Sequence, residues 1–182
     1  MKAAALLVID LQRGAFDGVR CPPIASADDL VSHATSLVEA ARRNNTPIIF
    51  VQHCAGANKA LEEGTSHGEF HEKVLPQAAD RIVKKYASSA FENTNLQPML
   101  QGLGITELVV CGLQSEICVF NTSVSALELG YVVHIAQDGH GTWPTQEKSA
   151  ATITCEVNAK LLRQGAVLES TAALVMRLGG LR

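Results

Sequence analysis

Three side chains in this sequence carry the chemistry of a nucleophilic site: the carboxylate of Asp10, the amine of Lys85 and the thiol of Cys118. A thiolate attacks carbonyl carbon, a neighbouring carboxylate can take its proton, and an ammonium offsets the negative charge that results. Asp10 ends the apolar run AALLVI (residues 4–9), so partial desolvation should raise its pKa and suit it to accept a proton. Cys118 follows Ser115 by three residues. If Ser115 caps a helix, unpaired N–H groups and the helix dipole should lower the thiol pKa and favour the thiolate. The chemistry expected of such a set is thiol attack on a carbonyl and an oxyanion held by backbone N–H groups. The protonated acid then assists loss of an amine or ammonia, and water hydrolyses the thioester.

Each residue has a plainer role open to it. A carboxylate ending a first parallel strand often binds a cofactor or metal, or caps a helix. A cysteine in a first helical turn is more often core than nucleophile, and Lys84 and Lys85 read as solvated charges at a strand end. What favours the chemical reading is the set of elements that would bring them together.

The run 4–9 has the unbroken apolar character of a parallel strand buried on both faces. Ser26, with Asp29 three residues on, opens a helical stripe of Leu30, Val31, Ala34, Leu37, Val38 and Ala41 that Asn44-Asn45 closes. IIFVQ after Pro47 is a second strand, and residues 54–78 form a long excursion with short helical turns, a candidate lid. Arg81-Ile82-Val83 starts a third strand, a helix spans about 95–102, and ELVVCG (107–112) is a fourth strand. A helix from Ser115 to Gly130, a strand YVVHIA (131–136), a helix from Thr145 to about Gly165, a strand AVLES and a final helical turn over 171–179 complete the order. Regular β-α alternation predicts an α/β fold: a three-layer, doubly wound sheet of about six mostly parallel strands with helices on both faces. Ligands bind beyond the carboxyl ends of such strands, where Asp10, Gln52, His53, Lys85, the 112–118 turn and Asp138 collect.

With 182 residues, 47% hydrophobic and 18% charged, the chain suits a single domain over 1–182. A net charge of −3 without long basic blocks argues against a nucleic-acid partner, and the N-terminal apolar run meets Asp10 too early to span a membrane. Five cysteines without a C-x-x-C pair fit neither a disulfide framework nor a thiolate zinc site, and suit a reducing, cytoplasmic setting. Strand one is followed by DLQRGAFDG, which is neither G-x-G-x-x-G nor a P-loop, so nucleotide binding is disfavoured.

Three segments resemble the isochorismatase-like cysteine hydrolases, the group that includes nicotinamidases and N-carbamoylsarcosine amidase. LLVIDLQRGAF resembles the opening strand with its catalytic Asp, here Asp10, and a pocket aromatic, Phe16. DRIVKKYASSAFENTNL resembles the segment that carries the catalytic lysine; spacing from Asp80 and Phe91 matches Lys85 better than Lys84. VVCGLQSEICVFNTSVSALELGY resembles the Gly-x-x-Thr-x-x-Cys-Val turn, with Ser115 where Thr is common and Cys118 as nucleophile. The resemblance spans about residues 4–170 and implies a cis peptide between Leu113 and Gln114 that aims the amides of Gln114 and Cys118 at the oxyanion. It also implies a homo-oligomer, for which the helix over 145–164 is a candidate interface.

The departures bear on mechanism. Nicotinamidases hold a divalent metal with an Asp-x-His after the second strand, whereas this chain reads FVQHCAG, with Gln52 where the Asp would be. His53, His67 and His71 remain, but the expected set contains no metal and no cofactor. Isochorismatases proper lack the nucleophilic cysteine, so Cys118 points to acyl transfer. The expected substrate pocket is Phe16, Gln52, His53, Phe91, Ile117 and Trp143, with Leu113 beside them, which suits a compact neutral or aromatic amide. The expectation is a cysteine-dependent, metal-independent hydrolase of a small-molecule amide or related C–N or ester bond. The alternatives are a non-catalytic ligand-binding or redox-sensing domain with a reactive Cys118, and a metal-dependent nicotinamidase.

Overall fold

The apolar run at the start of the chain becomes a central strand, which is why both of its faces are apolar. In the computed structural model, which describes residues 3–180, β1 (Ala3–Ile9) lies between β2 (Ile48–His53) and β4 (Ile105–Leu113). β3 (Arg81–Lys85), β5 (Val132–Gly141) and β6 (Val167–Glu169) complete one sheet in the order β3-β2-β1-β4-β5-β6, with every pairing parallel. Met1, Lys2, Leu181 and Arg182 lie outside the described residues. Side chains of a strand alternate between faces. Leu6 and Val8 therefore join one core with α1 (Ala27–Arg43) and α5 (Thr171–Gly180). Ala5, Leu7 and Ile9 join the other, with α2 (Leu96–Gly102), α3 (Phe120–Glu128) and α4 (Ala150–Arg163). The fold is the doubly wound α/β sandwich expected from the alternation of elements. Among the described residues no helix is long and apolar enough to cross a membrane.

The structure corrects several local expectations. Ser26 precedes α1 in a left-handed conformation (φ 53°) and its side chain caps nothing. α4 begins at Ala150 rather than Thr145, because Ser149 is the cap that accepts from the Thr152 N–H. Ile153, Val157 and Leu161 of α4 face the sheet, while Ala151, Cys155 and Leu162 are exposed on its outer side. The tail over 171–179 is a full helix whose Leu174 and Leu178 join the core that α1 contributes to.

The excursion after β2 is pinned rather than free. Gln12, wholly buried, donates from Nε2 to the carbonyls of His53 (3.0 Å) and Gly68 (2.8 Å) and accepts from the His53 N–H (2.8 Å). Gln52 Nε2 also donates to Gly68 O, and the His71 N–H reaches Leu11 O at 2.9 Å. These bonds make the 54–78 segment a wall of the cleft.

Candidate active site

The strand order reverses between β1 and β4, and that crevice opens at the carboxyl edge of the sheet. Asp10 leaves β1 there and the 113–118 turn leaves β4 there. Strict alternation from Ile9 would turn Asp10 toward the face of Leu6 and Val8. Its φ of 52° breaks that alternation, in the left-handed region that Asp tolerates better than most residues. The carboxylate consequently meets Lys85, which shares its face with Val83.

Lys85 pairs with His53 across the β2–β3 ladder, so its amine must pass over β2 to reach the crevice. Strands are spaced about 4.8 Å apart, a distance a long side chain can cover. Lys85 is fully buried, and its Nζ lies 2.8 Å from Asp10 Oδ2, 3.1 Å from Cys118 Sγ, 3.2 Å from His53 Nδ1 and 3.1 Å from Ala87 O. Lys84, one residue back, faces outward and pairs with Glu63 at 2.9 Å.

Burial raises the Asp10 carboxyl pKa, and the Lys85 ammonium partly opposes that shift. Burial works against the Lys85 charge, but Asp10 and Cys118 hold its pKa above the usual lysine value. The expected low thiol pKa is not found. Burial, followed by the charge of Asp10, pushes the Cys118 thiol up to about 11 despite Lys85.

The local helix also differs from expectation. Ser115–Val119 is a π-helical turn, opened by Gln114, and α3 begins only at Phe120. Ser115 is no cap: its buried hydroxyl lies 2.8 Å from His140 Nδ1, and His140 Nε2 lies 2.9 Å from Asn158 Oδ1. Extra residues in β5 between Ile135 and His140 place His140 beside Gly112 and make this contact possible. The peptide between Leu113 and Gln114 is cis. The Gln114 side chain donates to Glu116 Oε1 (2.7 Å) and Thr142 Oγ1 (3.1 Å), which holds the turn against the end of β5.

A cavity of about 280 Å³ opens over Cys118 and Asp10. His53, Ile117 and Trp143 line it with Leu113 and Gln114, and Trp143 is set by its Nε1 donating to Pro22 O at 2.6 Å. Three expected pocket residues lie elsewhere. Phe16 packs edge-on to His71, with ring centroids 4.7 Å apart, over a separate surface groove. Gln52 is engaged with Gly68, and Phe91 stacks on Tyr131 in the core at 6.0 Å. Apolar side chains near an active-site motif carry no sign in the sequence of which face they take. Leu61, Tyr86, Ala87 and Ser88 line the cavity without having been anticipated, although the position of Tyr86, Ala87 and Ser88 just after Lys85 on a strand end was available as a signal. Asp138 accepts from the Thr171 N–H (2.7 Å) and hydroxyl (2.8 Å), a cap on α5 rather than a substrate contact.

The residues do not fit the metal centre of nicotinamidases. Gln52 stands in place of the carboxylate and donates its amide hydrogen, His53 Nδ1 faces the Lys85 ammonium, and His67 Nδ1 is engaged by Asp17. Among the described residues, no three His, Cys, Asp or Glu side chains are grouped to hold an ion.

A parallel sheet wound on both faces, with an acid, an amine and a thiol gathered at its switch point, defines a doubly wound α/β protein with a hydrolase-type cleft. The chain belongs to the isochorismatase family of hydrolases, with residues 4–171 matching its Isochorismatase domain. It is similar to the isochorismatase family protein YddQ of Bacillus subtilis, at 34% identity over 78% of this chain and 79% of that protein. It is also similar to a streptothricin hydrolase of Streptomyces noursei, at 34% identity over 76% of this chain, which spans only 50% of that enzyme. A cysteine hydrolase structure from Pseudomonas syringae pv. phaseolicola shares the fold, with a TM-score of 0.90 and 22% identity over 96% of this chain and 92% of the other.

Proposed function

We propose that this chain is a metal-independent cysteine hydrolase that opens an amide, or a related C–N or ester bond, of a small molecule through a thioester on Cys118. The observation that carries the reading is the position of the buried Lys85 Nζ, 2.8 Å from Asp10 and 3.1 Å from Cys118, two residues that line the cavity. With its pKa near 11, the thiol rests protonated at neutral pH. Proton transfer to Asp10 therefore accompanies attack on the carbonyl, and Lys85 stabilises the negative charge as it moves from carboxylate to sulfur. The first i→i−5 bond of the π-helical turn runs from the Val119 N–H to Gln114 O, so the Cys118 amide precedes that ladder and, with the Gln114 amide, is suited to hold the oxyanion. Protonated Asp10 then gives its proton to the leaving nitrogen, and water enters to cleave the thioester.

A redox-sensing role fits less well, because oxidation proceeds through the thiolate and this site disfavours it. The test is a panel of small amides, with ammonia release followed beside intact mass. Turnover with a transient acyl adduct on Cys118, both absent in Cys118→Ala, is the expected result. Turnover that survives the substitution would overturn the reading.

A further inference from the structure

The hydrogen-bonding roles at Lys85 fix the chemical state of a fourth residue. The Lys85 ammonium has three N–H bonds for four polar neighbours and no lone pair, so it can accept from none of them and repels any N–H pointed at it. His53 Nδ1, 3.2 Å away, is therefore unprotonated. Burial and the neighbouring Lys85 also lower the His53 pKa, in keeping with a neutral ring. A neutral imidazole with a bare Nδ1 carries its hydrogen on Nε2. His53 lines the cavity, and no described residue partners its Nε2. Its backbone is clamped on both sides by the buried Gln12 amide, so the ring is presented from a fixed support.

Other polar groups lining the cavity are largely engaged. The Gln114 amide nitrogen donates to Glu116 and Thr142, the Tyr86 hydroxyl to Glu63, and Asp10 is paired with Lys85. Among the described lining residues, the Ser88 hydroxyl and the Cys118 thiol, the nucleophile itself, join His53 as side-chain donors, and the others are Ala15, Leu61, Ala87, Leu113, Ile117 and Trp143, whose Nε1 is engaged by Pro22 O. The Asp10–Lys85 pair is neutral as a whole, which leaves no net charge to receive an ionic substrate.

We propose that His53, held by Lys85 in its Nε2–H form, donates a hydrogen bond to the bound substrate. It thereby selects uncharged amides that carry a second acceptor, such as a carbonyl, ether or ring nitrogen, beside the bond to be cleaved. This rests on Cys118 as the nucleophile for its kinetic consequences but not for the state of the histidine. A bare Nε2 would instead accept from amines, and a charged ring would recruit anions; the Nε2–H form does neither.

Two measurements test the proposal. Nitrogen-15 NMR of histidine-labelled protein should show His53 with hydrogen on Nε2 alone at pH 7. Hydrogen on Nδ1, or on both nitrogens, overturns the proposal whether or not the protein turns over any substrate. Kinetics should then compare matched neutral amides that differ only in an acceptor, such as pyridine-3-carboxamide and benzamide. The acceptor-bearing member should be favoured by about tenfold in kcat/KM, the worth of one good hydrogen bond. His53→Asn keeps a carbonyl near the Nδ1 position but has no donor at Nε2, and should bring that ratio close to one. His53→Gln, which can place an N–H near Nε2, should restore part of it. An equal loss on both amides in His53→Asn overturns the selective role. Failure of every amide to turn over or to label Cys118 would count against the nucleophile, while the NMR result would still decide the state of His53.

Discussion

The Lys85 ammonium lies 3.1 Å from the Cys118 sulfur, yet the thiol pKa stands at about 11. The cation pulls it down, but burial, which weakens the ionised form, and then the charge of Asp10 outweigh it. A basic thiol matched to an adjacent carboxylate is one that loses its proton during reaction rather than before it.

Asp10→Asn separates reactivity from turnover. Replacing the carboxylate removes a charge that raises the thiol pKa and leaves Lys85 unopposed. Alkylation of Cys118 by iodoacetamide at pH 8 should therefore become faster than in the parent. Hydrolysis should fall by about 10²- to 10⁴-fold, the usual contribution of a general base. Slower alkylation together with unchanged turnover would contradict the assigned role of Asp10.

Lys85→Met tests the buried pair. The substitution leaves the Asp10 carboxylate enclosed without its ammonium partner, which typically costs about 3–5 kcal/mol when the charge persists. Asp10 already has a raised pKa, and losing Lys85 raises it further. A carboxyl whose folded pKa exceeds its unfolded value of 3.8 favours the folded state when protonated and penalises it increasingly as pH rises through the folded pKa. The deficit in urea denaturation should thus be larger at pH 8 than at pH 5. Lys85→Arg should rescue little, since the amine stands among four acceptors at one point and a planar guanidinium cannot replace it.

The outline of the fold was legible because its physical causes are local. Burial of β1 on both faces shows as an unbroken apolar run, and alternation in β3 sets Val83 and Lys85 inward and Ile82 and Lys84 outward. The errors arise where long-range contacts override local pattern. Ser115 has the spacing of a cap, but His140, supplied by the irregular end of β5, engages its hydroxyl and the turn winds as a π-helix. The thiol pKa was misjudged because a helix start says nothing of burial, the largest influence on Cys118, which acts with the charge of Asp10 to raise it. The left-handed Asp10 was equally hidden, since nothing in LLVIDLQ marks the break in alternation.

Alkaline stability follows from the buried thiols. Cys111 and Cys118 have pKa values pushed from 9.0 up to about 12 and about 11, mainly by burial. Above pH 9 the unfolded chain releases these protons before the folded one does, so stability falls as pH rises through that interval. Lys85, also raised, acts in the same direction at higher pH. Cys111→Ala should lower stability at pH 7 through lost packing but give a shallower decline between pH 9 and 11. Equal slopes for parent and variant in chemical denaturation would show that Cys111 does not titrate as proposed.

Gly112 is where the backbone of the site is tightest. It has φ of 125°, and a Cβ added there would lie 2.0 Å from Ile9 O and 2.7 Å from Ile9 N. β4 therefore presses on β1 one residue before Leu113, at the point where Asp10 and the Cys118 turn diverge. Gly112→Ala should lose roughly 3 kcal/mol, combining an unfavourable φ with overpacking against backbone that cannot rotate away. Gly104 provides the comparison, because its φ is 65° but nothing lies within 4 Å of an added Cβ. Gly104→Ala should lose only about 1 kcal/mol, the conformational part alone. The Gly112 variant should also lose activity beyond its stability deficit when assayed well below its unfolding temperature, since relief of the clash must move either the strand carrying Asp10 or the turn carrying Cys118. Equal stability losses at the two glycines, with activity intact in both, would show that the close approach of β1 and β4 does not set the geometry of the site.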